Sequence, residues 1–249
     1  MVKARIMLTS ESIRSELAKA YQIIAMLGWD DATYTHLTHR HLTEPHFYIQ
    51  PFGLLFEEVD ESCLVEMDFS GNLIAPKDAK INQTGHAIHS AIYQARPEIQ
   101  AVFHLHTPES IAVSACPQGI LPISQHAYHF YERVGYFDYD ALTLHQDTQG
   151  KTIANQIHAH VPIIMLRNHG TIVCGRTVQE AFFYQYHLQK ACEIQCLLDP
   201  LKAESYVRPS DDVCRRAQRD ILNFEKDLGL RDWQAFSRKL ARKKAFLKS

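Results

Sequence analysis

The spacing of apolar and polar positions predicts a chain that mixes long helices with short strands. Between a capping residue, Thr9 or Ser10, and Gly28, apolar residues recur every third or fourth position, which is typical of an amphipathic helix. Similar patterns predict helices after Asn82, over 108–116, over 151–160, and from a capping box at Thr177–Glu180 to Asp199-Pro200.

Short apolar or alternating runs predict strands between these helices. They cover residues 46–50, 63–68, 73–75, 99–106, 119–123, 161–167 and 171–174. Ser70-Gly71-Asn72 indicates a hairpin turn, whereas residues 124–150 follow neither period. Because strands and helices do not alternate strictly, the pattern favours an α+β or three-layer arrangement with much antiparallel pairing.

Composition limits the class of protein further. The 249 residues carry a formal net charge of -2, which gives no general signal for nucleic acid or membrane binding. No apolar run is long enough to span a membrane, and the first residues do not form a signal peptide. The six cysteines contain no CxxC pair, so reduced thiols in a cytoplasmic protein are expected. Fifteen histidines are an excess that calls for metal or proton-transfer chemistry.

The end of the chain differs in charge from the rest. Residues 231–249 carry a net charge of +6, and Trp233, Phe236, Leu240 and Phe246 approximate an apolar stripe. The pattern predicts a basic amphipathic helix that docks on the acidic body of the same chain, or on an acidic partner or anionic surface.

The clearest chemical pattern is His104-Leu105-His106 together with Asn168-His169-Gly170. Residues i and i+2 of a strand point to the same side, so His104 and His106 project together, opposite an apolar face. A histidine from a distant tight turn completes a three-imidazole site, and His169 is the best-placed candidate. Three neutral imidazoles with an open position are typical of a catalytic metal site.

Several motifs resemble the class II aldolase/adducin family over about residues 10 to 200, and most closely its adducin-head branch. These are the segment Asn82–Pro97, His104-Leu-His-Thr-Pro, Gly119–Ser124 and Leu166-Arg-Asn-His-Gly. The resemblance implies a three-layer α/β/α fold around a central, mainly antiparallel sheet. We predict a family-like domain over 1–205 and a helical extension over 206–249 that packs on it and ends in the basic helix.

The resemblance also implies a cofactor and an assembly. A divalent metal, zinc before manganese or iron, is expected on His104, His106 and His169. A homo-oligomer is expected, with a tetramer favoured and the site near a subunit boundary. The aromatic segment 126–139 gives an independent reason for an interface, although these rings could equally cover the edge of their own sheet.

The chain departs from the sugar-phosphate aldolases of this family at two places. Gly85 stands where those enzymes carry a glutamate that binds metal and transfers protons. Their phosphate-binding pattern is also altered, and the residues that retain anion-binding capacity are Thr38, Arg40, Gly53 and Thr84.

Three histidines are candidates to replace the missing acid/base. His86 is next to Gly85, and His126 and His129 follow the Leu-Pro-Ile-Ser segment. Each has a competing structural interpretation, exposure for His86 and aromatic packing for His126 and His129.

The residues therefore support three hypotheses about function. The first is a metal-dependent carbon–carbon lyase acting on a small oxygenated substrate. The second is a non-catalytic adducin-head-like module with a relic metal site, for which alone an actin or cytoskeletal partner is expected. The third and weakest is an iron oxygenase on the same three histidines.

Overall fold

A single mixed sheet forms the centre of the molecule. The computed structural model describes residues 9–158, 160–198 and 206–247. In these residues eight strands pair in the order β4-β3-β2-β1-β5-β8-β7-β6, and all neighbours are antiparallel except β6 and β7. The strands are β1 (His36–Arg40), β2 (His46–Ile49), β3 (Val65–Asp68), β4 (Leu73–Ala75), β5 (Ala101–Leu105), β6 (Val134–Phe137), β7 (Ile163–Leu166) and β8 (Gly170–Gly175).

Helices cover both faces of the sheet, which makes the predicted three-layer α/β/α architecture correct. The helices of the described residues are α1 (Ser10–Leu27), α2 (Gln83–Ala95), α3 (Pro108–Ala115), α4 (Gln125–Tyr128), α5 (Lys151–Gln156), α6 (Val178–Cys196), α7 (Asp211–Phe224) and α8 (Leu230–Leu247). None of them is both long and apolar enough to cross a membrane.

Each face of the sheet has its own apolar core because side chains alternate along the strands. On β5, Phe103 and Leu105 join the core under α1 and α6, whereas Val102 joins the core under α2 and α5. The same alternation on β2 sends Tyr48 to the first core and Phe47 to the second. Both faces of the central strands are therefore buried, which leaves the loops at the strand ends to form sites.

The local signals for helix ends act as predicted for α1 and only partly for α6. Thr9 caps α1 by accepting the amide of Ser12, and Gly28 ends it in the left-handed conformation at φ 70°. At α6 the Thr177 hydroxyl accepts the amide of Glu180. The Glu180 carboxylate, however, accepts the amide and guanidinium of Arg176 instead of closing a capping box on Thr177.

The structure corrects the strand predictions at three places. The strands β1 and β6 were not predicted, since β1 is mostly polar and β6 lies in the aromatic segment without a clear period. Residues 119–123, expected as a strand, form none. Two of their amides bond to side chains instead, that of Ile120 to the Tyr136 hydroxyl and that of Leu121 to the Gln195 amide oxygen.

Helices α5 and α6 both end earlier in the chain than predicted. α5 stops at Gln156, four residues before the predicted end. α6 stops at Cys196, and the predicted stop at Asp199-Pro200 lies outside the described residues. The predicted boundary between 205 and 206 adjoins that undescribed segment, so the division into a domain and an extension stays a prediction.

The C-terminal helix α8 is held against α1 and α6 by its apolar side. Trp233 is buried, its ring meets Phe182 at 5.6 Å between centroids, and its indole nitrogen donates to Glu16 Oε2 at 2.7 Å. Leu240 is also buried, whereas Phe246 is 80% exposed. The basic side chains of α8 therefore project from the outer side of a docked helix.

We predict that Trp233→Ala lowers the free energy of unfolding by about 3–5 kcal/mol, because it empties a large apolar site and removes a hydrogen bond to Glu16. Phe224→Ala is the matched control, since Phe224 is 77% exposed on α7. It should change stability by less than about 0.5 kcal/mol. Urea unfolding followed by circular dichroism measures both, and equal effects would contradict the described docking of α8.

Candidate metal centre

Two histidines reach the candidate site from the end of β5. His104 is the fourth residue of the strand, and His106 is the first residue beyond it. Their Nε2 atoms lie 2.9 Å apart. His104 is buried and His106 is partly exposed, so the pair forms the floor of a site that opens at the strand end.

The third histidine comes from the turn between β7 and β8. Asn168 adopts the left-handed conformation at φ 59°, which turns the chain sharply and directs His169 back over the end of β5. The rings of His104 and His106 lie 5.0 and 4.7 Å from that of His169 between centroids. One nitrogen from each of the three imidazoles lies within 4.8 Å of the others, an arrangement that could hold a metal ion.

Gly170 makes this close approach possible. A Cβ at this position would overlap the carbonyl oxygen of Leu105 and lie 2.9 Å from Cδ2 of the His106 ring. Each residue of the Asn-His-Gly sequence therefore has a separate role. Asn168 makes the turn, His169 faces the cluster, and Gly170 lets β8 begin directly beside the end of β5.

Hydrogen bonds set the protonation of the two β5 histidines. His104 Nδ1 is 2.9 Å from the backbone oxygen of Thr171, and His106 Nδ1 is 3.1 Å from Asp31 Oδ2. A carbonyl or carboxylate oxygen only accepts, so both Nδ1 atoms carry the proton. The two Nε2 atoms then face each other with lone pairs and no proton between them. A cation shared by both nitrogens would relieve this repulsion, which is the chemistry expected of metal-binding imidazoles.

Burial keeps the cluster neutral. Burial, together with the neighbouring His106 and His36, holds the pKa of His104 well below its ordinary value. Burial and the nearby His106 lower the pKa of His169 to about 4. The pKa of His106 is lowered by burial too, against the opposing effect of Asp31. Neutral imidazoles are the form that binds a metal, so the donor set is suitable for one near pH 7.

A second row of buried polar groups runs from the cluster into α2. The His36 ring lies 4.9 Å from that of His104, and its Nδ1 is 2.9 Å from His89 Nε2. His89 Nδ1 is 2.6 Å from the Thr38 hydroxyl, which is 2.7 Å from the Tyr93 hydroxyl. One direction of donation, from Tyr93 through Thr38 and His89 to His36, satisfies each of these bonds. The two buried imidazoles are thus stabilised in the neutral form, and burial lowers the pKa of both.

The space in front of Gly85 is filled by this row. A Cβ at Gly85 would lie 3.0 Å from Ile49 Cδ1 and 3.2 Å from Cδ2 of the His36 ring. Such contacts are tighter than ordinary van der Waals packing, so a larger side chain would need His36 to move. The glycine and the histidine are therefore two parts of one packing arrangement.

The predicted anion-binding residues are not brought together at the cluster. Thr84, beside His36 at 3.4 Å, is the nearest, and its hydroxyl donates to the capping Asn82. Thr38 is fully buried in the polar row. Arg40 donates to the carbonyls of Tyr93 and Pro97, near the opposite end of β5. Gly53 lies in an open turn at φ 102°, and no atom lies within 4 Å of the position that a Cβ would occupy.

The predicted acid/base candidates lie apart from the cluster in this chain. His86 faces the β3–β4 turn, where its ring approaches the Cα side of Gly71. His126 Nδ1 is 3.0 Å from His187 Nδ1 on α6. His129 stacks on His187, with 4.1 Å between centroids. None of these contacts involves the three histidines of the candidate metal site.

Sequence reasoning missed the groups that support the cluster. His36 and Thr38 alternate along β1, and this i, i+2 pattern could have indicated a polar strand face. The partnership of Asp31 with His106 had no signal, since 75 residues separate them. The contact of His104 with the backbone oxygen of Thr171 had no signal either, because every residue has a backbone carbonyl oxygen.

The chain is similar in sequence and in structure to known proteins. A family model described as "Class II Aldolase and Adducin N-terminal domain" matches residues 15–196. An aldolase II superfamily protein from Pseudomonas syringae is 35% identical, with a TM-score of 0.87 and 97% of each chain covered. L-fuculose 1-phosphate aldolase from Glaciozyma antarctica is 25% identical, with a TM-score of 0.82, 95% of this chain and 93% of that one covered. Alpha-adducin of Rattus norvegicus is 39% identical over 186 residues, which are 74% of this chain and 25% of the adducin.

We predict that Gly170→Ala lowers the free energy of unfolding by about 1–3 kcal/mol, because the new Cβ forces β8 away from Leu105. Thr171→Val at the next position is the control. The Thr171 hydroxyl is buried without a hydrogen-bond partner, so its removal should be neutral or slightly stabilising. Thermal or urea unfolding measures both, and a harmless Gly170→Ala would show that the turn does not need glycine.

Proposed function

Because the chain belongs to the class II aldolase and adducin family, we propose that it is a metal-dependent lyase. It would break a carbon–carbon bond of a small oxygenated substrate by aldol or decarboxylative cleavage. The observation that carries the proposal is the 2.9 Å distance between the Nε2 atoms of His104 and His106, whose Nδ1 atoms both face oxygen acceptors, with His169 beside them. Such a pair is costly in a metal-free protein and favourable in a metal-binding one.

The proposed ligands are His104, His106 and His169. Zinc is the favoured ion because nitrogen donors suit it, and manganese, which prefers oxygen donors, is less suitable. Fe²⁺ suits imidazole as well and remains the ion of the oxygenase alternative. When bound, a divalent cation would supply Lewis-acid polarisation of a carbonyl or hydroxyl oxygen. Thr171 and Asp31 would hold the two β5 imidazoles in the required tautomer.

We also propose an oligomeric state and a location for the protein. We propose a homo-oligomer, with a tetramer favoured, since the family resemblance implies a site near a subunit boundary. The six free cysteines support a cytoplasmic location. Neither nucleic acid nor a membrane is among the proposed partners.

A second candidate function is a non-catalytic interaction module, favoured by the 39% identity to alpha-adducin over 186 residues. Two features are consistent with it. Gly85 offers no carboxylate at the cluster, and α8 presents basic side chains on its outer side. In this alternative the histidine cluster is a relic, and a cytoskeletal partner such as actin becomes the expected ligand.

Metal analysis separates the two functions. We predict one zinc per chain in gently purified protein, and none in His169→Ala, which removes one of three ligands. Asp31→Ala should weaken zinc affinity by about 10–100-fold, because the hydrogen bond that orients His106 is lost. Elemental analysis and competition with a chromophoric chelator are the measurements.

Asp30→Ala is the matched control, since it removes the same charge one residue away. A protein with no stoichiometric metal would contradict the lyase proposal and leave the interaction module. Equal effects of Asp30→Ala and Asp31→Ala would contradict the role given to Asp31.

We predict that cleavage of L-fuculose 1-phosphate is weak or absent, because Gly85 provides no general acid/base. Gly85→Glu alone should perturb packing against His36, whereas Gly85→Glu combined with His36→Asn makes room for the carboxylate. The double variant should gain about 10²–10⁴-fold in cleavage rate. A coupled assay of aldehyde release measures it, with His36→Asn alone as the control.

Efficient cleavage by the unmodified protein would contradict this prediction. Failure of the folded double variant to gain activity would show that the carboxylate is not the missing component.

A further inference from the structure

A cleft of about 310 Å³ lies at the end of the central strands opposite the histidine cluster. The cluster is located where β5 ends and β8 begins. The cleft contains Ile99, just before β5, and Gly175, the last residue of β8. Since β5 and β8 are antiparallel, with Ala101 opposite Gly175 and Leu105 opposite Thr171, the two places are separated by the length of both strands.

The main reason to expect a ligand in this cleft is the buried side chain of Arg133. It lines the cleft and is only 8% exposed. Its guanidinium donates to the carbonyls of His160 and His129 and to the Tyr184 hydroxyl, at 3.1, 3.2 and 3.3 Å. A guanidinium has five N–H donors, so donors remain after these three bonds. Among the described residues no ion pair involves Arg133, and a buried charge without a counter-charge is costly.

The side chains that line the cleft include four cations and three carboxylates. Arg96 pairs with Glu98, and Arg176 pairs with Glu180 through two nitrogens. Glu225 pairs through Oε1 with Arg231, which does not line the cleft, at 2.7 Å, and its buried Oε2 has no hydrogen-bond partner.

Lys226 is left on the rim, exposed and in no ion pair among the described residues. Arg133 and Lys226 are therefore the two cations of the cleft that have no ion-pair partner among the described residues.

We propose that this cleft binds a small anion of the phosphate-monoester class. Arg133 donates its remaining N–H groups from the cleft wall, and Lys226 closes over the anion from the rim. Arg133 and Lys226, the cations without an ion-pair partner, suit an anionic ligand, and guanidinium groups are well suited to phosphate oxygens. The cleft volume is that of a small-molecule site. The proposal does not depend on metal binding, because none of the three clustered histidines lines this cleft.

The test is calorimetric titration of the protein as purified with inorganic phosphate in low-salt buffer. Saturable binding with a dissociation constant below about 1 mM is expected. Arg133→Gln should weaken it by about ten-fold or more, and Lys226→Gln by about three- to ten-fold. Lys243→Gln, an exposed lysine on α8, is the matched control and should leave binding unchanged.

His169→Ala distinguishes the cleft from the candidate metal centre. Binding that survives His169→Ala and is weakened by Lys226→Gln supports the proposal. Binding that is lost in His169→Ala and unaffected by Lys226→Gln would assign phosphate to the histidine cluster and overturn it. Absence of saturable binding would overturn it too. Should Arg133→Gln fail to fold, the exposed Lys226 and Lys243 variants still decide the question.

Discussion

The close antiparallel contact between the end of β5 and the start of β8 is the constraint on which the candidate site depends. It brings two histidines of one strand and one histidine of a distant turn to a single point, although 63 positions separate His106 from His169. The contact requires Gly170, because any side chain there would overlap the Leu105 carbonyl. The same contact supplies the Thr171 backbone oxygen that holds the proton on His104 Nδ1. Geometry and protonation of the cluster therefore have a common origin in one strand pairing.

The cost of burying imidazoles explains why the cluster is surrounded by further polar groups. A buried imidazole needs partners for both nitrogens or it weakens the fold. His36 and His89 meet this need with each other, with Thr84 and with Thr38, which is why Thr38 is not available to an external anion. The pKa values of both histidines are lowered mainly by burial, so the row stays neutral beside the cluster. A neutral surrounding preserves the ability of His104 and His106 to bind a cation.

Much of the fold could be predicted because local signals there agree with the tertiary structure. The cap at Thr9, the stop at Gly28 and the strand patterns around His104 all correspond to features of the structure. The failures have two physical causes. The strands β1 and β6 lack a clear apolar period, whereas residues 119–123 resemble a strand although the amides of Ile120 and Leu121 bond to the side chains of Tyr136 and Gln195.

The candidate site likewise has features that the sequence predicts and features that it does not. The i, i+2 spacing of His104 and His106 follows from strand geometry, so their shared direction could be predicted. Asp31, His36 and Arg133 could not be assigned partners, because their neighbours come from elements that only the folded sheet brings together.

The relation between Gly85 and His36 gives the site its specific chemical character. The family resemblance aligns Gly85 with a glutamate of the sugar-phosphate aldolases. In the structure there is no free space in front of Gly85, since His36 approaches its Cα and His36 Nδ1 is bonded to His89. The position is packed for an imidazole, and a glutamate side chain could enter only if that imidazole were displaced. The absence of a carboxylate at position 85 and the presence of the buried histidine row are thus one structural feature. The proposed lyase chemistry would therefore depend on imidazoles and a bound cation, with no carboxylate from position 85.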